Sequence, residues 1–327
     1  MPDYTRRDFL KFAAATGAAS FLELITNKYS YSKINGKSSH KNQTHKNPKF
    51  SEDDLEELII NQIRHLRQNK LIGKDEKVIV YVYDYTANKE RVSLHADEPV
   101  QAASMIKPFV ALAYFDSVER GKIAQDEKSL YLIECSIRFS DNVATNMIME
   151  EIGGPGAVQR ILEEHYSHIF HKTFVEDYIP ITDRNRELAE RRGIVIPKNL
   201  PVGKSYYKNL SSAKDYHKFF NALKQNELPG SKVLKEYMSE TRFNRIISRI
   251  FGLPKKLILY NKTGTTNRVC GDIGLLEGED DKGKKYFYDI ISIFEKKKRA
   301  NGYERGNCIR QLNGTVHKFM KRQYNLV

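Results

Sequence analysis

Ser104 stands one helical turn before Lys107, in the stretch Gln101-Ala102-Ala103-Ser104-Met105-Ile106-Lys107-Pro108. On a helix that spacing puts hydroxyl and amine on one face, so the amine can take the hydroxyl proton while the oxygen attacks an acyl carbon. The spacing alone selects nothing, because Ser30/Lys33, Ser38/Lys41, Ser205/Lys208 and Ser211/Lys214 repeat it in a lysine-rich chain. What separates Ser104 is its setting. Met105 to Phe115 read as an almost wholly apolar helix, and an ammonium inside such a helix is costly unless it has a partner or a task. A helix start also offers free N–H groups and a positive dipole end to a developing oxyanion. Two later blocks carry compatible chemistry. Ser140-Asp141-Asn142 heads an apolar helix that runs to Gly153-Gly154-Pro155, and Lys262-Thr263-Gly264-Thr265-Thr266 follows the strand Lys256 to Tyr260. Taken singly, the first reads as a helix cap and the second as a turn at a strand end.

The elements that must position these blocks are legible on either side. Ser51 with Asp53 and Asp54 forms a helix start, and Leu55, Leu58, Ile59, Ile63 and Leu66 recur at helical spacing. Lys77 to Tyr85 is β-rich and apolar on both faces, hence a central strand. Arg91 to Leu94 is its hairpin partner. Gly271 to Leu276 and Tyr286 to Phe294 read as strands joined by a turn at residues 278–283, and Arg305 to Arg322 as a closing helix with Ile309, Leu312, Val316, Phe319 and Met320 on one side. The expected architecture is α/β (α+β): an antiparallel sheet flanked by terminal helices, plus a mostly helical lobe.

Composition bounds the rest. A chain of 327 residues, 40% hydrophobic, can bury a large core. Cys135, Cys270 and Cys308 are too few and too scattered for a disulfide framework, and with His40, His45 and His65 they show no metal-ligand spacing. No metal or cofactor is expected. Of the net charge of +13, residues 1–50 carry nine Lys/Arg against three Asp/Glu, so much of the excess lies outside the folded part. Nucleic acid is not expected as a partner; electrostatic association with an anionic cell surface explains the bias as well. A monomer is expected.

At the N-terminus, Thr5-Arg6-Arg7-Asp8-Phe9-Leu10-Lys11 precedes a mildly apolar, small-residue run from Phe12 to Ile25. This resembles a bacterial twin-arginine signal, which routes folded proteins out of the cytoplasm. Residues 1–25 are therefore expected to be a signal peptide read by the twin-arginine export machinery, residues 26–50 a disordered basic linker, and residues 51–327 the functional domain, with the helical lobe inserted at about 103–254. The destination is the periplasm or the medium.

The order Ser-x-x-Lys, Ser-Asp-Asn, Lys-Thr-Gly, each block at the right kind of element boundary, resembles the serine β-lactamases and penicillin-binding proteins, the class A branch most closely. Ala96-Asp97-Glu98-Pro99 before the serine, Val143-Ala144-Thr145-Asn146 after the second block, and Asn209-Leu210-Ser211-Ser212-Ala213-Lys214-Asp215 extend the likeness over roughly residues 51–322. The resemblance implies that Ser104 is acylated by a β-lactam or acyl-D-alanyl peptide, Lys107 takes its proton and Ser140 relays a proton to the leaving nitrogen. It further implies that Asn142 holds the substrate's side-chain amide and that Lys262 and Thr263 bind its carboxylate, with Arg268 adding to that recognition. The backbone N–H groups of Ser104 and Thr265 would form the oxyanion hole. Glu176, 36 residues after Ser140, falls where the family's deacylating glutamate is expected; Asp177 competes with it, and Pro180 replaces the family's asparagine.

Two departures accompany these matches. Only 36 residues separate Ser104 from Ser140, fewer than in typical class A chains, and Asp183 to Lys208 reads as a long, charged omega-loop region. The leading expectation is an exported β-lactamase. The alternatives are a D-Ala-D-Ala carboxypeptidase acting on peptidoglycan and a catalytically impaired wall-associated binding module.

Overall fold

The computed structural model describes residues 54–246, 257–296 and 302–325. The signal, the linker, the Ser51 cap and the start of the strand expected from Lys256 lie outside the described residues. In chain order the helices are α1 (Leu55–Gln68), α2 (Lys107–Glu119), α3 (Glu127–Arg138), α4 (Asn142–Ile152), α5 (Pro155–Tyr166), α6 (Asp183–Glu190), α7 (Ala213–Gln225), α8 (Ser231–Ser239) and α9 (Gly302–Tyr324). The strands are β1 (Lys77–Asp84), β2 (Lys89–Leu94), β3 (Val100–Gln101), β4 (Phe174–Val175), β5 (Asn209–Ser211), β6 (Ile258–Thr265), β7 (Val269–Glu279) and β8 (Lys285–Glu295).

The main sheet has the order β2-β1-β8-β7-β6, every pair antiparallel. β1 is central, as its two-faced apolar pattern requires. Val78, Val80 and Val82 face one core with Leu55, Ile59, Ile63 and Leu66 of α1 and Ile309, Leu312 and Val316 of α9. Ile79 and Tyr81 face the other core with α2, α4 and α7. Each such Leu or Ile contributes roughly 1.5–3 kcal/mol of burial. Asp54 caps α1, its Oδ1 accepting from Glu56 N at 3.0 Å.

Two boundaries differ from the sequence reading in ways that matter for the site. β6 continues to Thr265, because Lys262, Thr263, Gly264 and Thr265 pair with Ile273, Asp272, Gly271 and Cys270 of β7; the Lys-Thr-Gly block lies inside a strand. And Ser104 is not in α2 but in a 3-10 turn, Ala103–Ile106, that leads into it. That turn is pressed onto the sheet. A Cβ on Gly264 would sit 2.9 Å from Met105 Cγ and 3.1 Å from Ala102 O, and one on Gly271 would sit 2.8 Å from Met105 Sδ. Glycine at both positions lets β6 and β7 approach the serine-bearing turn.

Candidate active site

The 3-10 turn delivers Ser104 at the surface of the cleft and Lys107 to its floor, where the lysine is fully buried. Lys107 Nζ donates to Ser140 O at 2.6 Å and to Asn142 Oδ1 at 2.8 Å, with Ser140 Oγ at 3.5 Å. Among the described residues no hydrogen bond joins Ser104 Oγ to Lys107, so the shared face implied by the spacing is used to reach Ser140. Burial drives the Lys107 amine well below its ordinary pKa; the Lys262 and Arg192 cations push the same way, and Asp141 opposes them. The result favours a neutral amine, the form that can accept a proton.

Ser140 is held by strain and by its neighbour. Its φ is +56°, a left-handed conformation that costs a non-glycine residue about 1 kcal/mol or more, and it aims both the carbonyl and the hydroxyl at the lysines. Asp141 supports this turn as the cap of α4: its Oδ1 accepts from Val143 N at 2.9 Å and Ala144 N at 3.1 Å. Its other oxygen pairs with Arg192 Nη1 at 2.7 Å. Sequence alone gave no reason to join Arg192 to Asp141, 51 residues apart.

From the opposite wall, Lys262 on β6 donates to Ser140 Oγ at 2.9 Å and to Thr263 O at 3.1 Å. Burial first, and Arg245 second, lower its pKa to about 7 against the attraction of Asp272. Asp272 is itself fully buried and pushed up to about 6, with hydrogen bonds from Asn261 Nδ2 at 2.8 Å and from Arg245 N. Arg245 turns its guanidinium to Gly271 O at 3.0 Å and to Thr265 Oγ1 at 2.7 Å. It is the functional candidate that sequence reading missed. The only signal was the cation-rich run Arg242 to Arg249 ahead of β6. Lys262, Thr263, Thr265 and Arg245 thus line one strand edge with donors suited to a carboxylate.

The loop expected to supply a deacylating carboxylate approaches differently. Asn146 accepts from Ile179 N at 2.9 Å and donates to Ile179 O at 2.8 Å and Pro201 O at 3.1 Å. Asn142 Nδ2 donates to Pro180 O at 2.8 Å and lies 3.4 Å from Tyr206 Oη. Asn209 Oδ1 accepts from Glu176 N at 3.0 Å and Asp177 N at 3.2 Å. The expectation for Glu176 is corrected here. Val175 is buried, and the strand alternation turns Phe174 and Glu176 outward. The Glu176 carboxylate makes no hydrogen bond or ion pair among the described residues, and it is not among the charges that act on Lys107. Asp177 spends its carboxylate on Tyr178 N at 2.9 Å and Lys204 N at 3.2 Å. What faces Asn142 is the carbonyl of Pro180 and the hydroxyl of Tyr206.

Within the long 183–208 segment, α6 is a capped helix. Thr182 Oγ1 accepts from Asn185 N at 3.2 Å, and Asn185 Oδ1 accepts from Thr182 N at 2.9 Å. Arg268 is not joined to Lys262 or Thr263; it is exposed on the β6–β7 turn, with its guanidinium 4.4 Å from the Tyr207 ring centroid. Among the described residues no three His, Cys, Asp or Glu side chains gather as metal ligands.

Comparison with known proteins gives a consistent picture. The model of the beta-lactamase enzyme family matches residues 61–131 and 130–320. Residues 3–22 match the twin-arginine translocation pathway signal sequence; the chain carries that signal and is exported, to the periplasm or the medium. Beta-lactamase ROB-1 of Haemophilus influenzae is 30% identical over 122 residues, 31% of this chain and 40% of that protein, and the same holds for ROB-1 of Mannheimia haemolytica. The chain spans 40% of the length of these curated relatives. Among solved structures, PBP-A matches with a TM-score of 0.59 at 21% identity, covering 80% of this chain and 96% of that one. A class A beta-lactamase from Bacteroides cellulosilyticus matches at 0.57 and 18%, covering 82% and 99%. A PBP-A variant solved as an acyl-enzyme complex with penicillin G matches at 0.58 and 21%, covering 80% and 97%.

Proposed function

The chain belongs to the beta-lactamase enzyme family, and we propose that it is an exported serine hydrolase that opens β-lactams through an acyl-enzyme on Ser104. One observation carries this reading: the Ser140 hydroxyl lies between two buried lysine amines, at 2.9 Å from Lys262 and 3.5 Å from Lys107.

Ser104 Oγ attacks the lactam carbonyl carbon, and its proton passes to the neutral amine of Lys107. The negative charge that forms on the carbonyl oxygen meets the N–H groups of Ser104 and Thr265, on the order of 3 kcal/mol per donor. The C–N bond then breaks, and Ser140 gives its proton to the departing nitrogen while an adjacent lysine N–H replaces it. Lys262 in its charged form, with Thr263, Thr265 and Arg245, holds the substrate carboxylate. Asn142 presents the second lone pair of its Oδ1 to the acyl side-chain amide. Nothing in this half of the reaction calls for a metal or cofactor. We expect the protein to act as a monomer, its basic surface favouring anionic cell-envelope material.

The exposure of Glu176 favours a second reading for the fate of the acyl group. Without a carboxylate at the site the acyl-enzyme hydrolyses slowly, as suits a D-Ala-D-Ala carboxypeptidase or related penicillin-binding enzyme. The test is intact-mass analysis after incubation with benzylpenicillin. The wild-type chain should gain the mass of one intact penicillin, and Ser104→Ala should gain none. An adduct that survives in Ser104→Ala assigns another nucleophile. Rapid loss of the wild-type adduct with turnover of penicillin supports the β-lactamase, persistence with release of D-alanine from an acyl-D-Ala-D-Ala peptide supports the peptidase, and neither adduct nor turnover leaves only the binding module.

A further inference from the structure

Arg268 presents an exposed guanidinium whose position is fixed and whose donors are unspent. Its ring contact with Tyr207 holds it, at 4.4 Å from the ring centroid. Its backbone N–H donates to Thr266 Oγ1 at 3.2 Å, and its carbonyl accepts from Lys296 N at 2.9 Å. Thr266 Oγ1 in turn donates to Gln101 Oε1 at 2.6 Å. Among the described residues no carboxylate pairs with the Arg268 side chain. A planar fork of N–H donors steadied by stacking on one face is the arrangement that takes a carboxylate in two parallel hydrogen bonds.

The place of this pair in the cleft decides which carboxylate. Ser140 and Lys262 mark the leaving-group end, since Ser140 serves the departing nitrogen. Three residues along β6, roughly 10 Å of strand, lies Thr265, and the turn beyond it carries Asn267 and Arg268. On the opposite rim, Asn142 touches Tyr206 Oη at 3.4 Å, and Tyr207 follows. The two rims meet where Tyr207 lies under Arg268 and donates from Oη to Asn267 Oδ1 at 3.3 Å. Beyond Thr265, past the strand residues Lys262 and Thr263, this contact bridges the 174–208 segment and the β6–β7 turn.

We propose that Tyr207 and Arg268 form an acyl-side subsite that selects acyl donors bearing a carboxylate on their side chain. The inference rests on acylation of Ser104 as proposed above. The neighbouring charges agree with it: Lys204 and Lys208 lie in the same segment as Tyr207 and make no ion pair among the described residues, and Asp177 is occupied by backbone N–H groups.

The experiment compares two acylating probes, benzylpenicillin and carboxybenzylpenicillin, which differ by one carboxylate on the acyl side chain. The second-order rate of Ser104 acylation is read by intact mass, in the full mature protein. Wild type should acylate roughly three- to five-fold faster with the carboxylated probe. Arg268→Gln should abolish that preference and Arg268→Glu reverse it, read as the ratio of the two probes' acylation rates in each variant. Arg268→Lys should keep part of it, and Tyr207→Leu, which retains the charge but removes the stacking, should reduce it. Equal rates for the two probes in wild type overturn the proposal. So does a preference unchanged in Arg268→Gln, or an equal slowing of both probes, which would mark Arg268 as merely structural. If neither probe acylates wild type, the acyl-enzyme reading itself falls and this subsite falls with it; acylation without preference removes the subsite alone.

Discussion

The pocket around Ser140 and the 174–208 segment face each other across Asn142, and they are built on opposite plans. Around Ser140, side chains do the contacting: Lys107, Lys262, Asn142 and Asp141 are all buried, both lysines donate to Ser140, and Asn142 accepts from Lys107. From the 174–208 segment, the closest contacts to Asn142 and Asn146 are mostly backbone, with the Tyr206 hydroxyl beside Asn142 the side-chain exception. Pro180 O accepts from Asn142, and Ile179 N and O are both taken by Asn146. Of the segment's charged side chains, Glu176 is exposed to solvent, and Arg192 reaches the pocket through Asp141, whose turn it braces. Side chains able to pass a proton therefore gather around Ser140. Among the described residues of the loop, no carboxylate makes a contact with them.

The largest effect expected from breaking this contrast comes from the pocket. Lys107→Met should lower the acylation rate on the order of 10²–10⁴-fold, measured as covalent penicillin adduct per unit time. A loss of less than ten-fold would mean that Lys107 only holds Ser140 and Asn142 in place.

A smaller effect concerns pH. Lys107 must be neutral to accept a proton, so acylation rises as pH climbs through its lowered pKa. Lys262 must be charged to hold a carboxylate, so kcat/KM falls as pH passes about 7. The charge of Asp272 raises the Lys262 pKa. Asp272→Asn should therefore move the alkaline limb to lower pH, and a limb that stays in place would assign it to another group.

The smallest effect belongs to the loop. Glu176→Gln should change the rate of acyl-enzyme loss by less than about two-fold, because its carboxylate contacts nothing in the site. A long-lived adduct that appears only in this variant would restore Glu176 as the residue that prepares the water and would show that the loop rearranges on acylation.

The contrast also accounts for how far the sequence could be read. The three blocks were legible because each carries its chemistry locally: a serine one turn from a lysine, a Ser-Asp-Asn cap, and a Lys-Thr-Gly run that reads as a strand-end turn and lies inside β6 in the structure. The terminal helices were legible because Leu55, Ile59, Ile63 and Leu66, like Ile309, Leu312 and Val316, repeat at the period of the face they bury. The loop was misread because the reading counted residues to Glu176, whereas its orientation is set by the pairing of β4 with β5 and the burial of Val175. Phe174 opposite Leu210 and Val175 opposite Asn209 fix which side chains face in, and such a two-residue strand leaves no periodicity to detect. Arg192 and Arg245 were invisible for a related reason. Each acts on a partner tens of residues away, Asp141 in one case and Asp272 and Thr265 in the other.

The strand order β2-β1-β8-β7-β6 has a consequence for the making of the protein. β1 leaves the ribosome early, yet one of its long edges is completed only by β8, so that Tyr83 waits for Asp289, 206 residues later. Until β8 is synthesised the β1–β2 hairpin has an open edge, and the core between the sheet and α1 lacks α9. Such long-range pairing closes slowly and late. For a chain whose twin-arginine signal directs it to a route for folded cargo, the cargo is complete only when both β8 and the C-terminal helix α9 have been synthesised and have closed the sheet and its core.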